Sequence, residues 1–233
     1  MTASAHAADD SIRLPLVSVI ITNHNYAAYI PRAISSVAQQ GYPRLECVVV
    51  DDCSTDGSFD VITAQLAQLY DTRFRALRLD KNMGQLGAMK AGLAITTGPF
   101  VHFLDADDFV FPHFLERHIE AHLNSSYSAG VTASDTMQID GDGQILETTF
   151  HTLLKRRSDA ADANVKLVSP EAISKIAGDA VALGERTGEL LYAERDYVGW
   201  PVVATSSMMF RRDAIDFVMP DNTEEVRTGC AAP

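Results

Sequence analysis

The sequence predicts an α/β fold: a mostly parallel, Rossmann-like sheet with helices on both faces, followed by a mixed C-terminal region. Two observations predict it. Between Leu16 and Leu104, short apolar runs alternate with segments of helical periodicity, in the order strand, helix, strand, helix, strand, helix, strand. The connections between them are short, which in this order is the signature of a parallel sheet with covering helices.

The first strand is Leu16-Val17-Ser18-Val19-Ile20-Ile21-Thr22, a nearly continuous apolar run of the kind buried on both faces of a sheet. From Tyr29 to Gln39 the apolar residues Tyr29, Ile30, Ala33, Ile34, Val37 and Ala38 form a helical stripe, which Gly41 and Pro43 terminate. Leu45 to Val50 is the second strand and runs into Asp51-Asp52. Ser58 is expected to cap the next helix, whose buried face uses Val61, Ile62, Leu66 and Leu69. Phe74 to Leu79 is a weaker third strand, Gln85 to Ile95 a helix, and Phe100 to Leu104 the fourth strand. Beyond Leu123 the pattern changes. Ala129 to Ile139 and Ile145 to Phe150 read as two strands around the Gly141-Asp142-Gly143 turn, residues near Pro170 to Ala177 as part-helical, and Val202 to Phe210 as a last strand leading into a short helix.

In such sheets ligands bind beyond the carboxyl ends of the strands. Three of those ends carry polar clusters: Thr22-Asn23-His24-Asn25, Asp51-Asp52, and Asp105-Ala106-Asp107-Asp108. Carboxylates as crowded as Asp105, Asp107 and Asp108 repel one another unless a cation or hydrogen-bond donors compensate them. The plainer alternative, a solvated strand end, loses ground because three separate segments aim polar groups at one rim. Mg²⁺ or Mn²⁺ takes oxygen ligands and often uses only one or two protein carboxylates while phosphate oxygens complete its shell, a role that the D-x-D spacing of Asp105 and Asp107 fits. Asp52 is placed to accept hydrogen bonds from a nucleobase or ribose; its other reading is a turn aspartate in DDCSTDG.

A net charge of −12 with scattered Lys and Arg argues against a general nucleic-acid binder. Cys47, Cys53 and Cys230 form neither a CxxC pair nor an even set, which fits a reducing, cytoplasmic compartment. Residues 1–14 read as a flexible leader without a signal-peptide pattern, and no apolar run reaches the roughly 20 residues of a membrane span. Peripheral association with the inner face of the membrane stays open. His102 reads as a core residue, while His113, His118 and His122 read as a solvated helix face; Trp200 reads as a core or interface residue.

The stretch VSVIITNHNYAAYIPRAISSVAQQGYPRLECVVVDDCSTDGS, then NMGQLGAMKAGLAITTGPFVHFLDADD, with an echo at TSSMMFRRDAI, resembles the nucleotide-binding half of family 2 glycosyltransferases of the GT-A fold. The resemblance implies a single GT-A domain over 15–233, with a nucleotide-sugar-binding half at 15–123 and an acceptor-side half at 124–233 that is truncated. It implies transfer from a nucleotide-diphosphate sugar, UDP-linked by preference, to a glycan or lipid-linked hydroxyl, with inversion and a divalent metal. Carried over by position, Thr22 and His24 lie by the nucleobase, Asp52 binds base or ribose, Gly84 and Lys90 border the donor, Asp105 contacts ribose or sugar, and Asp107 is the metal ligand. Asn23, Asn25 and Ala106 complete the expected donor set. This chain departs from the pattern with Met89-Lys90 where many relatives carry Arg-Asn, and with His24 where Tyr is common. The catalytic base is expected from Asp221, Glu224 or Glu225, or from beyond Pro233. Two alternatives are a sugar nucleotidyltransferase, which would carry a Gly-rich basic loop after the first strand, and a donor-binding module that lacks catalysis.

Overall fold

The computed structural model describes residues 14–124, 129–134, 136–141, 143–147, 165–168, 190–193 and 204–219. Strand β1 (Val17–Asn23) is followed by α1 (Ile30–Ala38), β2 (Leu45–Asp51), α2 (Ser58–Leu69), β3 (Phe74–Arg78), α3 (Gly84–Ala94), β4 (Phe100–Asp105) and α4 (Phe114–Asn124). Then come β5 (Val131–Ala133), β6 (Gln138–Ile139), β7 (Ile145–Glu147), β8 (Val165–Val168), β9 (Leu190–Ala193), β10 (Met208–Arg211) and α5 (Arg212–Val218). The main sheet has the order β3-β2-β1-β4-β10-β5. Its first four strands are parallel, and β10 runs antiparallel to both β4 and β5.

The apolar runs become strands because both faces of the sheet are covered. Along β1, Val17, Val19 and Ile21 join the core beneath α1, α2 and α4, whereas Ile20 points into the opposite core with Ala88 and Met89 of α3 and Ile215 of α5. Every residue of β1 is buried. Each such Val or Ile contributes roughly 1.5–3 kcal/mol of burial, which overrides any local preference. Tight fits fix the layers. A Cβ on Gly98, just before β4, would lie 2.8 Å from the Leu16 carbonyl oxygen and 2.9 Å from the Ser18 nitrogen. Gly98→Ala is therefore expected to cost about 1–3 kcal/mol, because backbone atoms must move; an unchanged urea midpoint would refute this packing account.

Several expectations need correction. Ser58 is the first helical residue of α2 and not its cap: Gly57 takes that place at φ 85°, and the Asp56 carboxylate accepts from the Ser58 N–H at 2.9 Å. Tyr29 is 49% exposed and lies outside the buried stripe of α1, because it precedes the helix proper. The segment 129–139 is broken, since β5 joins the main sheet while β6 pairs with β7 as a separate hairpin. The expected last strand is shorter among the described residues, running Met208–Arg211, because Thr205–Ser207 turn as a 3₁₀ helix; Val202 and Val203 lie outside the described residues. His118 and His122 are buried, not solvated, as β5 and β10 cover that face of α4. The expected helix near Pro170 to Ala177 and Trp200 lie outside the described residues, as do residues 1–13 of the leader. Among the described residues, no helix is long and apolar enough to cross a membrane.

Candidate functional site

The parallel pairing of β1 with β2 and β4 sets Asn23 opposite Asp51 and Thr22 opposite Asp105. The three polar clusters therefore leave the sheet side by side. Above them opens a cleft of about 340 Å³ whose floor and one wall include Thr22, Asn23, Asp52, Asp105, Ala106 and Asp107. His24, Tyr26, Asn82, Gly84 and Gln85 close its other sides.

Three loops are latched to one another by His24. Its Nδ1–H donates to the Asp52 carbonyl at 2.7 Å, which leaves Nε2 as the acceptor for the amides of Asn82 and Asn25, each at 3.1 Å. Both amide oxygens are also engaged, Asn25 accepting from the Thr55 N–H at 2.8 Å and Asn82 from the Gly84 N–H at 3.0 Å. Asn25, at φ 61°, thus serves the loop and does not line the cleft. Beneath it, the buried Asn23 amide donates to Asp51 at 2.8 Å and to Ser54 at 3.1 Å. Asp52 is 2% exposed and accepts from the Met83 N–H at 2.6 Å, tying the start of α3 to the end of β2.

At the other end, the Asp105 carboxylate accepts from Gln85 Nε2 at 2.6 Å and Thr22 Oγ1 at 3.3 Å. Ser206 reaches in from the turn before β10, accepting from the Asp105 N–H at 3.1 Å and donating to the Asp108 carboxylate. Burial holds both Asp105 and Asp108 above the ordinary carboxylate range; for Asp105 the neighbouring Asp107 and Asp108 add to the rise, and for Asp108 the Asp107 carboxylate does. Asp107 is exposed and has no hydrogen-bond partner among the described residues. The cluster is thus a concentration of negative charge, one carboxylate of which is free to face the cleft.

The structure brings together Thr22, Asn23, His24, Asp52, Gly84, Asp105, Ala106 and Asp107 around this cleft. Lys90 lies two turns into α3, away from the lining. Asp221, Glu224 and Glu225 lie outside the described residues. Sequence reasoning missed Gln85, Asn82, Tyr26 and Ser206. A polar residue directly after the first glycine of a helix, and a Ser in TSSMM next to a strand, were the available signals.

Fold and cleft together define a doubly wound α/β protein with an acidic cleft at the carboxyl ends of its central strands. The profile of Glycosyl transferase family 2 matches residues 18–218, and the chain belongs to that family. It is 35% identical to an uncharacterized glycosyltransferase of Nostoc sp. over 206 residues, covering 88% of this chain and 53% of the relative. It is 36% identical to the succinoglycan biosynthesis protein ExoO of Rhizobium meliloti over 129 residues, covering 55% of this chain and 36% of that protein. The chain thus spans about half the length of the first of these curated relatives. Among solved structures, the mannosyltransferase PcManGT from Pyrobaculum calidifontis, in complex with GDP-Man and Mn²⁺, aligns at a TM-score of 0.49 and 25% identity, over 53% of this chain and 36% of that one.

Proposed function

We propose that the protein transfers a sugar from a nucleotide-diphosphate donor, UDP-linked by preference, to a hydroxyl of a glycan or lipid-linked acceptor, with inversion. The observation that carries the proposal is the convergence of Thr22, Asp52 and Asp107 from three strand ends on one cleft. Residues 15–123 supply the donor half in this reading. Asp52, buried and oriented by Met83, presents an acceptor to base or ribose N–H and O–H groups. His24 and its two asparagines hold the surrounding loops in place before the ligand arrives, so less ordering entropy is lost on binding.

Asp105, clamped by Gln85 and Thr22, faces the ribose and sugar, and Asp107 faces the diphosphate. The donor set suits a hard divalent cation such as Mn²⁺ or Mg²⁺: oxygen ligands only, with mutually repelling carboxylates. Among the described residues no three His, Cys, Asp or Glu groups form a complete cage, so Asp107, with Asp105 beside it, would hold the ion together with donor phosphate oxygens. Such an ion supplies charge stabilisation for the departing diphosphate. A carboxylate on the acceptor side takes the hydroxyl proton as the new bond forms at the anomeric carbon, with Asp221, Glu224 and Glu225 the candidates from the sequence.

Calorimetry with UDP, GDP and dTDP, each with and without Mn²⁺, tests the donor site. We expect UDP to bind most tightly and to lose most of its affinity without the metal. Equal, metal-independent affinity for all three would remove the proposal.

A further inference from the structure

Beside the cleft lies a run of aromatic rings, exposed at Tyr26, Tyr29 and Phe111 and half-buried at Phe109, of which only Tyr26 borders the cleft itself. Tyr26, which borders the cleft, is 41% exposed and meets Tyr29, 49% exposed, edge to face at 5.9 Å. Arg32 follows Tyr29 by one turn and therefore shares its face of α1. Its guanidinium lies over the Phe109 ring at 3.6 Å, and Phe109 meets Phe111, 54% exposed, edge to face at 5.6 Å. The rings come from two segments, the start of α1 and the loop that follows the acidic cluster.

Both segments are held rigidly. The Tyr26 carbonyl accepts from the Tyr29 and Ile30 N–H groups at 3.0 Å, and Asn25 turns the chain beforehand at φ 61°. On the other side, Val110 N–H donates to Ser36 Oγ at 3.2 Å and Gln40 Nε2 donates to the Phe111 carbonyl at 2.9 Å. Tyr26, Tyr29 and Phe111 are exposed although they cost free energy in water, and the backbone beneath them is pinned to α1. A ligand would find the surface already formed.

We infer that this run is a binding platform for the pyranose rings of a neutral glycan acceptor. The inference rests on the glycosyl-transfer reading of the adjoining cleft. Neighbouring rings are inclined at 61° and 70°, which divides the surface into ring-sized facets instead of one flat apolar plane. A pyranose offers a C–H face of that size, and its hydroxyls remain free for water. An anionic lipid surface fits poorly: the chain carries a net charge of −12, and the cation in the patch, Arg32, is stacked on Phe109. Continuity supplies the last argument, because Tyr26 belongs both to the run and to the cleft wall, so a glycan lying on the rings leads its end toward Asp107.

The test uses the full chain, cellotetraose as a neutral β-linked probe, and UDP with Mn²⁺ as an independent measure of the donor cleft. Saturation-transfer NMR should show contact at the C–H protons of cellotetraose. The pair Tyr29→Ala and Phe111→Ala, both on the surface, should weaken that binding about tenfold while UDP–Mn²⁺ affinity stays the same. Tyr29→Phe with Phe111→Tyr should retain binding, since stacking needs the ring and not the hydroxyl. If cellotetraose fails to bind while UDP binds, or binds the alanine pair as well as the parent, the platform is refuted and the donor reading stands. If UDP fails and cellotetraose binds in the expected way, the nucleotide reading falls instead. Sedimentation of the parent, but not the alanine pair, with phosphatidylglycerol vesicles, or a dimer lost in the alanine pair, would also overturn the glycan platform.

Discussion

Asp107→Asn should lose at least about 100-fold in Mn²⁺-dependent affinity for UDP, with no change in thermal stability. Even loss of a supporting group around a metal typically costs about 10–100-fold, and a direct ligand should cost no less. The fold should not notice the change. Asp107 is exposed, and the described residues give it no hydrogen bond to lose. Asp108→Asn is the informative contrast: its carboxylate is turned toward Ser206, an amide oxygen can accept the same hydrogen bond, and removing its charge relieves repulsion on Asp105. It should change affinity only a few-fold. Calorimetry on the two variants separates these roles, and an Asp107 variant that binds like the parent would exclude this carboxylate from the metal site.

The second large effect is acid destabilisation through buried imidazoles. His102 is fully buried in β4 and is pushed down to about 4, chiefly by burial, although its hydrogen bond to the Met208 carbonyl at 2.9 Å works the other way. His118 on α4 is pushed down to about 3 by burial first and by His102 and His122 second; its Nδ1 accepts from Thr132 Oγ1 at 2.7 Å. Among the described residues, Nε2 of each has no hydrogen-bond partner. Both are therefore neutral in the folded protein, whereas in the unfolded chain they take up a proton near pH 6.5. Stability is fully present above pH 6.5, falls as the pH drops below it, and stops falling from this cause once the pH passes about 4 for His102 and about 3 for His118. At 1.36 kcal/mol per pH unit, the penalty is roughly 3 kcal/mol for His102 and roughly 5 kcal/mol for His118. His118→Phe keeps a ring against Phe114, which His118 meets at 4.3 Å, and should flatten the slope of stability against pH by about 1.4 kcal/mol per unit in that window. Parallel urea titrations between pH 7 and pH 4 measure the slope; the same slope in both proteins would discard the account.

The parallel half of the fold was legible because its signals are local and strong. β1, β2 and β4 are buried on both faces, so their sequences are continuous Val, Ile and Phe runs, and the acidic or amide residues that end them mark the rim. The floor of the cleft followed from that alone. What could not be read depends on partners far away in the chain. His118 and His122 look polar on a helical wheel, and only β5 and β10, arriving later, bury them. Ser206 lies 101 residues from the aspartate it contacts, and nothing near it in sequence announces the contact. Gln85 takes its meaning from Asp105, 20 residues away in sequence, which it reaches at 2.6 Å. His24, expected by the nucleobase, lines the cleft, but that both its ring nitrogens join loops could not be read from the sequence.

The same separation in sequence has a consequence for how the chain is made. The outer edge of β4 is paired by β10, and Ser206, just ahead of that strand, lies 101 residues beyond Asp105 at the end of β4. At a synthesis rate of about 5–20 residues per second, some 5–20 s pass after β4 leaves the ribosome before β10 follows. During that interval Phe100 to Leu104, which are buried in the finished protein, present open backbone donors and acceptors along an apolar edge. The nascent chain is therefore most vulnerable to mispairing with its neighbours on a polysome at this stage, and holdase chaperones would have a defined strand to shield.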